Sequence, residues 1–340
     1  MKSRQSKVGY IFSKESLQYF LLFLVVFVAL GFLIPKSFLS KFNLQSMAFQ
    51  IPEFGILALG MMVTIITGGI DLSIIANANL SAILASLAMY AYGGSANNPA
   101  ITMLTITAVC ILSGLVMGLF NGILVSRLGI PAILATLGTM KLFDGVSTVI
   151  TGGQPLRNYP PIVARLANDT FLGIPISFYV FVVLVVAMLV LMEHSRLGFR
   201  IYMIGENPIA SRYSGINNER VLLLTYAVAG VMSGIAGLVM MSRFNSIKVG
   251  YGNSYQLLTV LVAIMGGVHP NGGRGRIISV VASILTLQCI ASGFNILGFT
   301  NYVRNVIYGT VLILVMIANV VVPMIRETNA LRHERRTMEA

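Results

Sequence analysis

The groups able to do chemistry in this chain are few, and most stand inside long apolar runs. Asn77, Asn79, Asn121, Gln288 and Asn295 are neutral amides in such runs, and Phe294 adds an aromatic ring beside one of them. Amides both donate and accept. They therefore either meet a passing polar solute or tie one helix to the next, and singly each suits the second role well. Asp71 follows Gly68-Gly69-Ile70 and precedes Ser73. It is either an N-cap held by backbone amides or a polar site residue, and the spacing favours the cap. Lys141 and Asp144 lie three apart, close enough on one helix face to neutralise each other. The three histidines, His194, His269 and His333, all stand near expected loops, so no chain of buried carboxylates and imidazoles forms a proton relay. Nor is a Ser/His or Asp/Asp pair placed for intramembrane catalysis. Cys110 and Cys289 lie far apart in apolar segments without a histidine at metal spacing, and they read as small buried hydrophobes.

The elements that must position these groups follow from composition. Charged residues are 10% of the chain and hydrophobic ones 56%, with a mean hydropathy of +0.85. A soluble domain carries roughly 25% charge, so these residues cannot assemble a water-facing surface. The fold class expected is an all-α integral membrane protein. A helix needs about 20 apolar residues to cross a bilayer. Ten candidate spans satisfy or approach this: 18–34, 45–67, 76–92, 99–126, 131–152, 175–193, 221–241, 256–268, 277–297 and 303–324. The span at 256–268 is too short unless its flanks extend it. The first apolar run lacks a small-residue cleavage site and reads as a retained helix.

The net charge of +12 is topological in this setting. With ten spans and an inside N-terminus, fifteen Lys and Arg fall on the cytoplasmic side. The outer loops hold six, Lys36, Lys41, Arg157, Arg165, Arg243 and Lys248, and Lys141 and Arg304 fall inside spans. That asymmetry agrees with the positive-inside rule and puts both termini in the cytoplasm. No basic stretch is interleaved with aromatics, so nucleic acid is not an expected partner. The chain divides into a cytoplasmic tail at 1–17, a transmembrane domain at 18–324 and a cytoplasmic tail at 325–340. Gly114, Gly118 and Gly122, and likewise Gly230 and Gly234, recur four apart, a spacing that lets helices approach closely in lipid.

The longest cytoplasmic loop, 195–220, is amphipathic. Asn207-Pro208 predicts a cap followed by Pro at the first helical position, and hence a short helix over 208–214 that stops near Gly215. Ile209, Ala210, Tyr213 and Ile216 would give that helix an apolar face, and such a face on a cytoplasmic helix calls for a groove.

At these residues the chain resembles the membrane permeases of bacterial ATP-binding-cassette importers of the ribose, galactose, xylose and autoinducer-2 type. Gly205, Asn207, Ala210, Ser214, Gly215 and Ile216 match the coupling segment of that family. ITGGIDLS at 66–73, GGVHPNGGRGRI at 266–277 and SGFNILG at 292–298 fit the same family, in family order. The structural motif residues are Gly68, Gly69, Asp71 and Ser73, with Gly266, Gly267, Gly272, Gly273 and Gly275. Two departures weaken any transfer of substrate identity. Ile74-Ile75-Ala76-Asn77 replaces a usual small-residue continuation, and His269-Pro270-Asn271 replaces small and hydroxyl residues.

The resemblance implies a transport subunit that is not itself an enzyme, in the bacterial inner membrane. It implies a second permease copy or homologue, cytoplasmic ATPase subunits that bind ATP and Mg, and a periplasmic solute-binding protein. The solute would be a monosaccharide or a sugar-like molecule. Sugars are recognised through hydroxyls, so the six residues named first become the expected pathway set. Glu206 and Arg212, with the coupling residues, are either ATPase contacts or solvated charges. No Gly-Lys dipeptide occurs anywhere, so the chain carries no P-loop and is expected to hold no cofactor of its own. The alternative is an ion-gradient-driven secondary transporter, with which the glycine breaks at 68–69 and 266–267 are compatible.

Overall fold

The structure of the protein is a computed structural model that describes residues 14–91, 98–300, 302–314 and 316–317. Most of the expected N-terminal tail, the whole C-terminal tail with His333, and the latter part of the span expected at 303–324 lie outside the described residues.

The described chain is a bundle of helices. In order these are α1 (Lys14–Leu33), α2 (Pro35–Phe38), α3 (Lys41–Ile66), α4 (Ile74–Ala91), α5 (Pro99–Ser126), α6 (Ala132–Thr151), α7 (Pro161–Asn168), α8 (Ile176–His194), α9 (Arg196–Glu206), α10 (Pro208–Tyr213), α11 (Asn218–Phe244), α12 (Tyr255–Met265), α13 (Ile277–Ile296) and α14 (Tyr302–Leu314). Local chemistry sets many of the ends. Ser40 accepts from the Asn43 amide to start α3, Asn98 precedes Pro99 at the start of α5, and Asn217 caps α11. Gly152 closes α6 in the left-handed conformation. Two short antiparallel ladders accompany the helices: β1 (Leu156–Arg157) pairs with β4 (Ser246–Ile247), and β2 (Thr170–Phe171) with β3 (Ile174–Pro175).

Eight of the helices are long and apolar enough to cross a membrane. They correspond to eight of the ten expected spans, and the other two expected spans correspond to shorter helices. At 11 residues α12 rises only about 16 Å, roughly half of a hydrocarbon core of about 30 Å. Its flanks do not extend it, because Gly266 and Gly267 end the helix in a turn. Arg243, expected in an outer loop, belongs instead to the last turn of α11. Lys141 and Asp144 make no ion-pair contact, but the Lys141 charge still acts on the Asp144 carboxyl, as their spacing on one helix face leads one to expect.

The centre of the bundle is α3, α4 and α11, and α3 is buried from Ile51 to Ile66. The glycine spacings find each other across α5 and α11. A Cβ on Gly118 would fall 2.8 Å from the Gly230 Cα, and one on Gly114 would fall 2.9 Å from the Gly234 Cα. Burial supplies no drive between helices in lipid, so this backbone-to-backbone approach is what van der Waals packing requires.

Candidate functional site

Three of the four motif stretches meet at one end of the bundle. There the turn after α3, the end of α9 and the loop from Gly266 to Arg276 pack backbone against backbone. The Gly273 amide donates to the Ile66 carbonyl at 2.9 Å, and Gly205 lies against both groups so closely that a Cβ there would overlap the Ile66 oxygen. Gly272 and Gly273 take φ of +90° and +79°, which L side chains avoid. The Tyr202 hydroxyl on α9 donates to the Gly275 carbonyl at 2.7 Å, and His269 accepts from the Asn271 amide at 3.2 Å. These contacts turn the stretch 266–276 into a fixed seat for α9. SGFNILG at 292–298 is not part of this junction, because it closes the opposite end of α13.

From this seat α10 projects. Ser195 starts α9 by accepting from the Leu197 and Gly198 amides, both at 3.1 Å. Asn207 caps α10 through the Ile209 and Ala210 amides, both at 3.0 Å, with Pro208 at the first position. Gly215, at φ +79°, reverses the chain after Tyr213 and Ser214. Ser211 and Asn218 hydrogen bond at 2.9 Å and hold the short helix to the start of α11. Of the expected apolar face, Ile216 turns inward while Ile209, Ala210 and Tyr213 are left out, Tyr213 at 89% exposure. Arg212 stands exposed beside them. Glu206 is paired with Arg274 of the neighbouring loop, with 3.9 Å between their charged atoms and both side chains exposed.

Asp71 is fully buried and its Oδ1 accepts from the Ser73 amide at 2.9 Å and the Ser73 hydroxyl at 2.6 Å, just before α4 begins. Thr136 of α6 donates to the Ile70 carbonyl and Gln256 of α12 to the Leu72 carbonyl, so the turn is stitched from two sides. Asp71 Oδ2 has no hydrogen-bond partner among the described residues. Burial accordingly raises the carboxyl from its ordinary 3.8 to about 6, against the lowering effect of the Ser73 bonds.

The expected pathway residues separate into two groups. Asn77 donates to the Gly114 carbonyl at 3.2 Å, Asn79 to the Tyr251 carbonyl at 3.0 Å, and Asn121 to the Ser73 hydroxyl at 2.7 Å. All three are buried ties between elements. Gln288, Phe294 and Asn295 lie along α13 instead. Gln288 donates to Gln50 of α3 at 3.3 Å, Phe294 packs on Phe299, and Asn295 accepts from Arg304 at 2.6 Å.

Sequence reasoning passed over a buried cluster near this second group. Glu53 of α3, 3% exposed, pairs with Arg243 at 3.1 Å and accepts from the Tyr255 hydroxyl at 2.7 Å, while Arg243 sits 4.8 Å above the Phe49 ring. An ionisable residue inside an apolar span was the signal available for Glu53. Its partners are about 190 and 200 residues away, and no spacing rule reaches them.

Comparison with known proteins supplies the context. Residues 43–316 match the sequence model of a family described as "Branched-chain amino acid transport system / permease component". Over 329 residues, 93% of this chain and 96% of the relative, it is 32% identical to the ribose import permease protein RbsC of Bacillus subtilis (strain 168). Identity to RbsC of Escherichia coli (strain K12) is 28%, over 88% of this chain and 92% of that one. The autoinducer 2 import system permease protein LsrD of Yersinia enterocolitica is 29% identical, over 81% and 83% of the two chains. No solved structure matches.

Proposed function

Since this chain belongs to that family of transport-system permease components and is a multi-pass protein of the bacterial inner membrane, we propose that it is the membrane subunit of an ATP-binding-cassette importer for a monosaccharide or sugar-like solute. A ribose-type sugar or autoinducer-2 is the favoured cargo, because the relatives named for those solutes align with more than four-fifths of the chain. In this reading a periplasmic binding protein delivers the solute to a pair of permeases, this chain with a second copy or a homologue. Two cytoplasmic ATPase subunits bind ATP and Mg and supply the energy.

The observation that carries the reading is α10, a capped helix on a rigid backbone seat with Ile209 and Tyr213 uncovered. An amphipathic helix of this kind lays its apolar face into a groove of its partner. Closure of two ATPases around ATP would draw the two α10 helices together. Because α9 is locked to the 66–73 and 266–276 turns, that motion would reach α3, α4, α12 and α13 as a rigid-body movement and reopen the pair on the other face.

The test is co-expression of the chain with its neighbouring genes, followed by purification and ATP hydrolysis assays with and without the loaded binding protein. Co-purification of an ATPase that the loaded binding protein stimulates is the expected result. In Arg212→Glu the ATPase should no longer co-purify and uptake should be lost, with membrane insertion intact. A chain that purifies alone and still accumulates solute along an ion gradient would overturn the proposal.

A further inference from the structure

In the half of the bundle away from the junction, α3, α12, α13 and α14 border a partly open cavity of about 300 Å3, at the small end of the range for ligand pockets, about 300–1,000 Å3. Helical rise puts its residues about 15–24 Å from the junction: Gln50 is sixteen residues before Ile66, Gln288 eleven after Ile277, and Tyr255 ten before Met265. Its polar lining includes Gln50, Ser254, Tyr255, Gln288, Asn305 and Tyr308 beside Arg304, with Phe54 and three aliphatic side chains between them.

Carboxamides, an arginine and two tyrosines present donors, acceptors and ring faces together, the set that meets a molecule carrying a hydroxyl on nearly every carbon. Gln288 is only 2% exposed, so its amide is held at depth by the surrounding helices and does not face bulk water. Tyr255 is fixed from behind. Its hydroxyl is committed to Glu53, which Arg243 holds in turn, and this leaves the ring to line the cavity. Pro52 removes one backbone hydrogen bond from α3 beside these residues, loosening the ladder where Gln50 and Phe54 border the space. A zwitterionic amino acid would need an anionic partner for its ammonium group. None of the lining residues is acidic, and the nearby Glu53 is already paired.

We infer that this cavity is a transit seat for a neutral, polyhydroxylated solute within the permease, with Gln288 and Tyr255 as its selective contacts and Glu53 and Arg243 as positioning residues behind Tyr255. The inference rests on the importer reading above. A seat of this kind acts after the solute has been handed over, so it sets the maximal rate of uptake and not the affinity for the binding protein.

The experiment uses the full complex in proteoliposomes, with labelled D-ribose and L-valine as probes. In Gln288→Leu, maximal D-ribose uptake should fall about tenfold, the loss of one neutral hydrogen bond, with no change in the binding-protein concentration that gives half-maximal uptake. Asn305→Cys is the second arm, since Cys110 and Cys289 are buried and leave little background for a thiol reagent. Its labelling should slow several-fold during D-ribose turnover and not with L-valine. Wild-type complex that imports neither probe nor autoinducer-2 would sink the importer reading itself. Normal D-ribose import with unaltered Gln288→Leu rates and unprotected Asn305→Cys would overturn the cavity alone. Import of L-valine with the same sensitivities would overturn the solute class.

Discussion

Two ion pairs mark two regions of this molecule, and they are built in opposite ways. At the junction below α10, Glu206 and Arg274 face solvent across 3.9 Å, and the contacts that hold the region are backbone against backbone at glycines. In the half beside the cavity, Glu53 and Arg243 meet at 3.1 Å inside the bundle, and side chains do the joining. The first pair can be lost without leaving a charge stranded. The second cannot, because Glu53, 3% exposed, would be left buried without its guanidinium partner. The region proposed to transmit motion is thus made stiff by removing side chains, and the region proposed to meet a solute is braced by burying them.

This contrast can be broken or sharpened by substitution, beginning with the largest expected effect. Arg243→Ala should cost about 3–5 kcal/mol of stability by leaving buried Glu53 without its partner, read as thermal unfolding of the purified chain in detergent. Combining Glu53→Leu with Arg243→Met should recover much of that loss, and no recovery would mean that the pair is more than mutual neutralisation. Gly205→Ala should cost about 3 kcal/mol, the upper end for overpacking, because the atoms that its Cβ meets are backbone and have nowhere to move. Unchanged unfolding in that variant would show that α9 is not locked to the turn after α3.

Asp71 gives a pH-dependent test between these ends. Its carboxyl is raised from 3.8 to about 6 in the folded chain, so the fold favours the protonated form. Stability should fall as pH rises from about 4 to 6, by of order 2 kcal/mol, and level off above that. Asp71→Asn keeps the acceptor for Ser73 and should abolish the decline, and a decline of equal size in that variant would exclude Asp71 as its source. Glu206→Ala should be the mildest change, below about 1 kcal/mol, since the pair is exposed (61% for Glu206) and screened. A large loss there would erase the distinction between the two ends.

Local signals carried well in places where the chemistry is local. Asn207-Pro208 and Gly215 bound α10 as cap, first-position proline and left-handed stop, because each acts within four residues of itself. The apolar runs marked the long helices for the same reason. The failures were non-local. Asn77, Asn79 and Asn121 looked like Gln288 in sequence, and only the approach of other helices divides them into ties and cavity wall. Glu53 was visible as a carboxylate in an apolar span, while Arg243 was assigned to a loop because the end of α11 depends on what its last turn packs against.

The sequence by itself determined that this chain is a helical membrane protein with a short capped helix after Asn207, since hydropathy and capping depend on residues adjacent along the chain. Tertiary structure alone decided that Gly205, Gly272 and Gly273 close on Ile66, and that Glu53, Arg243 and Tyr255 brace one wall of a cavity. Those contacts join positions from about seventy to two hundred residues apart, and they exist only because helices in lipid settle where backbones can touch and buried polar groups can find partners.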